Sequence, residues 1–278
     1  MSLTSDKEPR VDPEHPVIRV TCVADADGRV AFDLPLPTPD GRPHLLLKAR
    51  PRKGVPDPAA RSLPLEAVGD GRVRAVLEPL PALEEGRWDA FLVREPGAAP
   101  DQLASGPLDL RVLLDGARLD RPSPVAVRIP YRALDGFLAV RAWLRTAHAE
   151  AGSIEVDDRA TTVTARLHGT DLGKDALVRL RGRRSREERT LRPSTDEDGR
   201  GFRFTVDHAE LTGVDVRYWD VHVLPAADAA PVRVGRVLDD VADRKQSFVY
   251  AAANSAGRLV RPYYTVDNDL SFEVTDPD

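Results

Sequence analysis

Cysteine is nearly absent: Cys22 is the one thiol in 278 residues, which excludes an internal disulfide and any cysteine pair for metal or redox work. Set in the apolar run Val20-Thr21-Cys22-Val23, it reads as a small buried hydrophobe rather than a nucleophile. No apolar run approaches the roughly 18 residues of a membrane-spanning helix, and residues 1–16 form a polar N-terminal tail lacking the apolar stretch of a signal peptide. The expectation is a soluble, cytoplasmic protein with no membrane span. Positive charge is not in excess either: 40 Lys and Arg stand against 45 Asp and Glu, a net charge of −5 that argues against nucleic acid as the partner. Sustained helical periodicity is missing, and 24 prolines would interrupt long helices.

Catalytic and cofactor signatures are missing as well. The chain contains no G-x-x-x-x-G-K-[ST], no G-x-G-x-x-G after a strand, no H-E-x-x-H and no G-x-S-x-G. Its six histidines are scattered without metal-ligand spacing, so neither a metal nor a cofactor is expected. Adjacent carboxylates at Glu84-Glu85, Asp157-Asp158, Glu187-Glu188 and Asp239-Asp240 would point to opposite faces of a strand, which does not suit paired acid/base chemistry. Asp25-Ala26-Asp27 runs into Gly28 and reads as a turn rather than a metal motif, and Asp267-Asn268-Asp269 as turn chemistry rather than a Ca²⁺ loop.

What is present is strand alternation punctuated by turns. Six Asp-Gly pairs, beginning at Asp27, Asp40, Asp70, Asp115, Asp135 and Asp198, supply the positive φ of tight hairpins. Between them run period-two segments such as Arg72-Val73-Arg74-Ala75-Val76-Leu77 and Gly201-Phe202-Arg203-Phe204-Thr205-Val206, each with one apolar face. The fold class is all-β. The chain also repeats itself: Trp88-Asp89-Ala90-Phe91-Leu92-Val93 recurs 131 residues later as Trp219-Asp220-Val221-His222-Val223-Leu224. At that offset Leu45-Leu46-Leu47 falls on Ala176-Leu177-Val178, and Val127-Arg128-Ile129-Pro130-Tyr131 matches Leu259-Val260-Arg261-Pro262-Tyr263 with one residue of slippage. Two tandem immunoglobulin-like β-sandwich modules are therefore expected, over residues 17–145 and 152–278, joined where residues 146–152 break the strand pattern. Trp88 and Trp219 are expected to fill the space between sheets.

The densest local charge lies between residues 179 and 192, where seven arginines accompany Glu187 and Glu188. Arginine forks suit phosphate and carboxylate, so Arg179, Arg181, Arg183, Arg184, Arg186 and Arg189 are the candidate residues for binding a polyanion.

The closing motif Leu259-Val260-Arg261-Pro262-Tyr263-Tyr264-Thr265-Val266-Asp267-Asn268-Asp269-Leu270-Ser271-Phe272, with its partner Ile129-Pro130-Tyr131-Arg132, resembles the end of β-sandwich modules appended to actinobacterial cell-envelope glycosyltransferases and polyol-phosphate transferases. Nothing matches the catalytic domain of such proteins, so no catalytic residue is carried over. The resemblance implies an accessory part that contacts a protein partner or holds an anionic glycan polymer. A non-catalytic tandem module, beside an envelope or natural-product glycosyltransferase, is the leading reading. Two others stay open: an enzyme with a site assembled between the modules from residues such as His148, His168, Asp157 and Tyr131, and a carbohydrate-binding module using Trp143, Tyr250, Tyr263 and Tyr264.

Overall fold

A computed structural model describes residues 17–37, 42–51, 54, 57–116 and 120–277. The tail 1–16 and the Asp40-Gly41 pair lie outside the described residues. Strands dominate, and the described residues include two short helices, so the protein is all-β. The chain separates into two compact units, Met1–Leu119 with Ala126–Leu144, and Asp120–Val125 with Arg145–Asp278.

The first unit contains β1 (Arg19–Ala24), β2 (Val30–Pro35), β3 (His44–Ala49), β4 (Ala60–Pro64), β5 (Glu66–Gly69), β6 (Arg72–Leu77), β7 (Gly86–Val93), β8 (Asp101–Gln102) and β9 (Ala104–Asp109). Helix α1 (Arg111–Gly116) follows, then β10 (Val125–Arg132) and β11 (Leu138–Arg145). Two sheets result, in the orders β5-β6-β2-β1-β9 and β10-β11-β7-β3-β4, with β8 beside β7. Alternation explains their packing: Val20 and Cys22, Phe32 and Leu34, Leu45 and Leu47, and Trp88, Ala90 and Leu92 all turn into one shared core. Cys22 is fully buried there, and burial pushes its thiol far above the ordinary range, with Asp33 adding to the effect.

The second unit contains β12 (His148–Val156), β13 (Ala160–His168), β14 (Leu177–Gly182), β15 (Glu188–Leu191), β16 (Ser194–Thr195) and β17 (Gly201–Asp207). Helix α2 (His208–Thr212) precedes β18 (Tyr218–Leu224), β19 (Val232–Gly235), β20 (Ala253–Ser255), β21 (Arg258–Tyr264) and β22 (Leu270–Thr275). The main path runs β16-β17-β13-β12-β19-β18-β22-β21-β20, with β14 on the other side of β18 and β15 beyond β14. Strand β19 joins two sets of strands, pairing parallel with β12 and antiparallel with β18. Both sets face a core in which Trp219 is buried with Val163, Phe202, Phe204, Val178, Leu180 and Phe272.

Four of the Asp-Gly pairs sit at hairpins, with Gly28, Gly71, Gly136 and Gly199 at positive φ between β1 and β2, β5 and β6, β10 and β11, and β16 and β17. The Asp115-Gly116 pair instead lies at the end of α1. Residues 146–152, expected to break the strand pattern, are mostly strand: β12 begins at His148, three residues after β11 ends, and alternation is masked because a bulge between Ala151 and Ile154 shifts the inward parity.

Gly169 closes β13 at φ 82°, and a Cβ placed there would stand 2.5 Å from the Thr146 carbonyl oxygen. Positive φ and a backbone clash act together, so Gly169→Ala is expected to cost about 2 kcal/mol or more in chemical denaturation. A midpoint unchanged from the parent would contradict this placement of the β13 end.

Candidate binding face and cleft

The outward face of β14, β18, β22 and β21 carries polar side chains because each strand turns its alternate residues into the core. Register then sorts these outward residues into rows. One row places Arg181 opposite Asp220, Asp220 opposite Ser271 and Ser271 opposite Tyr263. The neighbouring row sets Tyr218 opposite Glu273 and Glu273 opposite Arg261, and Arg183 enters it through its N–H, which donates to the Tyr218 carbonyl at 2.8 Å.

Guanidinium groups and tyrosine rings interleave along this face. Arg183 and Arg217 lie 5.2 and 5.1 Å from the centroid of the Tyr218 ring, and Tyr263 meets Tyr218 edge to face at 6.0 Å. Arg183 donates to both oxygens of Asp220. Glu273 accepts from Arg217 at 2.9 Å and Arg261 at 2.6 Å. Burial works against ionisation of Glu273, yet these two arginines hold its carboxyl below the usual range. Asp220 follows the same pattern, burial being outweighed by Arg183.

Beside the rows opens a cleft of about 290 Å³. Its lining comes from two parts of the fold: Arg183, Tyr218, Glu273, Arg261, Pro262 and Tyr263 belong to the strands and the hairpin beside them, and Lys245, Phe248, Val249 and Tyr250 to the irregular segment before β20. Val249 is 75% exposed. Cations outnumber carboxylates on its lining, in a chain whose net charge is −5.

The second part of the lining belongs to residues 236–252, which lack ladder partners and need their backbone polar groups satisfied otherwise. Glu150 accepts the N–H groups of Val237 and Leu238 at 2.8 and 3.1 Å. Asn268, buried at φ 59°, accepts the Arg244 N–H through its side chain at 3.0 Å and donates to the Val241 carbonyl at 3.0 Å. The Arg244 guanidinium has no exposed surface. It pairs with Asp239, donates to the Arg236 carbonyl at 3.0 Å, and lies 4.7 and 5.7 Å from the ring centroids of Phe248 and Tyr264. Asp267-Asn268-Asp269 is thus a turn whose central side chain pins a neighbouring segment. Asp269 carries Arg145 at 3.0 Å and Arg233 at 2.7 Å.

The sequence-derived arginine set is divided by the fold. Arg179 and Arg181 point outward from β14, with Glu188 3.9 Å from Arg179. Arg183 lines the cleft, whereas Arg184, at φ 60°, and Arg186 are exposed around the tip of the β14–β15 hairpin. Arg189 turns away to cover the Trp219 ring at 5.3 Å and binds Glu187 at 3.1 Å. Arg217, Lys245 and Arg261 complete the face. Sequence reading missed them because they come from separate strands and loops; the Arg-Pro-Tyr run at 261–263 was the available signal.

Of the residues considered for an enzyme, two meet and a third stands at the far end of their hairpin. His148 and His168 pair across β12 and β13, both buried, and His148 Nε2 lies 2.8 Å from Glu150. Arg145 reaches His148 Nδ1 at 3.2 Å, which sets the tautomer with the proton on Nε2. Asp157 is at the far end of that hairpin, accepting the N–H groups of Arg159 and Ala160 at 2.7 Å. Tyr131 belongs to the first unit, 3.4 Å from Arg87. Of the aromatics considered for sugar stacking, Trp143 and Tyr264 are buried, while Tyr250 and Tyr263 line the cleft. Among the described residues no group of three His, Cys, Asp or Glu is placed to hold a metal ion, and no helix is long and apolar enough to cross a membrane. No family model and no curated protein matches the chain.

Two consequences can be measured. Asp239→Asn would leave Arg244 buried without its counter-charge, an expected loss of about 3 kcal/mol in urea unfolding; a loss below about 1 kcal/mol would refute the dependence of this segment on the pair. Burial, reinforced by neighbouring His148, lowers the His168 pKa to about 4, with Glu150 and Asp120 acting in the opposite sense and Arg166 adding to the lowering. Its Nδ1 accepts the Arg121 N–H at 3.3 Å. Because the folded pKa lies below the unfolded one, this stabilisation is present above pH 6.5 and is lost as pH falls towards 4. Moving from pH 7 to 5 is expected to remove about 2 kcal/mol through this group, and His168→Gln to flatten that part of the profile.

Proposed function

We propose that the protein is a non-catalytic binding module of two immunoglobulin-like sandwiches in tandem, acting beside a cell-envelope or natural-product glycosyltransferase, where its second unit holds an anionic polymer. The tandem reading is supported by strand order. In the first unit the sheets run β5-β6-β2-β1-β9 and β10-β11-β7-β3-β4; the second unit offers β16-β17-β13-β12-β19 and β21-β22-β18-β14-β15. The parallel pair β1–β9 has its counterpart in β12–β19. Trp88 faces Val140 and Ala49 as Trp219 faces Phe272 and Gly182, so the sequence offset of 131 residues becomes 132 on the strand at one side of the tryptophan and 133 on the strand at the other.

The observation that carries the binding reading is the arginine and tyrosine face beside the cleft. Stacking against Tyr218 restrains Arg183 and Arg217, and each guanidinium keeps donors beyond those spent on its carboxylate. The exposed hairpin tip, Arg184 and Arg186, extends the positive surface. A polymer with regularly spaced negative charge would span both.

Titration of the full chain with a polyol-phosphate polymer, polygalacturonate and neutral dextran at two salt concentrations tests this. Salt-sensitive binding of an anionic polymer, weakened at least tenfold in Arg183→Ala/Arg184→Ala, is the expected result. Equal binding of dextran, or no binding of either polyanion, would overturn it.

A further inference from the structure

We infer that the cleft between the arginine and tyrosine rows and the 245–250 segment binds a single hydroxylated sugar ring bearing an acidic group, a carboxylate or a phosphate. The inference rests on the proposal that the second unit holds an anionic polymer, and it names the unit of that polymer which is recognised. Volume limits the occupant: about 290 Å³ lies at the small end of ligand sites and suits one ring, not an extended stretch of chain.

Charge selects its acidic group. Arg183 and Arg261, from the hairpin and the strands, and Lys245, from the irregular segment, all line the cleft. Lys245 is exposed and, among the described residues, has no ion pair. An acid in the cleft gains charge-assisted hydrogen bonds from these groups.

Glu273 selects the hydroxyls. A site for a bare anion gains nothing from a carboxylate in its lining, since two negative charges repel. Glu273 is held ionised by Arg217 and Arg261 and, as an acceptor-only group, suits a donor such as a ring hydroxyl. Donors and a fixed acceptor in one lining match a molecule that is both acid and polyol. The irregular segment's part of the lining, Phe248, Val249 and Tyr250, offers apolar surface to the C–H face of a ring. It is already positioned: Phe248 stacks edge-on to Tyr264 at 6.4 Å above the buried Arg244, so little ordering is needed on binding.

An acidic peptide is the rival occupant. The edge of β21 beyond its pairing with β20 carries Pro262, which lacks an N–H, so strand addition by a peptide finds a donor missing there.

The test is isothermal titration of the full chain with D-glucuronate, glucose 6-phosphate, D-glucose, inorganic phosphate and triglutamate. At least one sugar acid should bind at least tenfold more tightly than both glucose and phosphate, and the ratio of the two sugar acids distinguishes carboxylate from phosphate. Lys245→Ala and Tyr263→Ala should weaken that binding at least fivefold, with Arg203→Ala, on β17 and outside the cleft, leaving it unchanged. Circular dichroism and a retained unfolding midpoint establish that the variants fold, and the exposed Lys245 keeps the test independent of Tyr263 packing. Phosphate binding as well as glucose 6-phosphate, triglutamate binding as well as either sugar acid, or no binding of a sugar acid would each overturn the inference. Anionic-polymer binding that persists undiminished in Lys245→Ala and Tyr263→Ala would overturn it while leaving the polymer reading standing. A sugar acid that binds when no polymer does would overturn the polymer reading alone.

Discussion

A fully buried guanidinium sits beneath one wall of the cleft, and that side of the second unit depends on its neutralisation. Arg244 is surrounded by Phe248 and Tyr264, where an uncompensated charge would cost several kcal/mol. Asp239 and the Arg236 carbonyl supply the compensation, and both belong to the same irregular segment. The pair therefore folds residues 236–244 back on themselves, and the segment that follows carries Lys245, Phe248 and Val249 into the cleft.

The surrounding polar groups extend the same constraint. A stretch without strand partners can be packed against a β-core only if its N–H and carbonyl groups are met by side chains. Glu150 from β12 and Asn268 from the β21–β22 turn meet several of them, so two elements far apart in sequence lock one segment. His148 and Arg145 steady Glu150 and Asp269 respectively. These buried histidines and carboxylates are engaged by partners that tie the irregular segment to the sheets.

On that surface, the proposed selectivity rests on mixing signs. Arginines alone would accept any anion, but Glu273 and Asp220 are interleaved with them at hydrogen-bonding distance. Carboxylates held ionised among guanidiniums lower the net positive potential and add acceptors in fixed positions. The proposed ligand, acid and polyol in one, matches such a face. The tyrosines contribute rigidity, since stacking restrains long arginine side chains that would otherwise lose rotamer freedom on binding.

Much of the scaffold was legible in the residues. Period-two alternation is a local property, so it identified β1, β6, β17 and the burial of Cys22, Trp88 and Trp219 without reference to partners. Asp-Gly chemistry located four hairpins, while Asp115-Gly116, ending a helix, shows that the pair specifies positive φ or a stop rather than a hairpin. The arginine run at 179–192 was visible, but its division was not: whether a given arginine reaches the cleft, the hairpin tip or the Trp219 ring depends on strand register and hairpin twist. The sequence by itself determined which residues face inward and where many turns fall, because both follow from local backbone periodicity. Only the tertiary structure decided which outward residues share a row, and that Arg183, Glu273, Arg261 and Lys245 meet, because cross-strand register and the docking of an irregular segment are set by contacts between residues far apart along the chain.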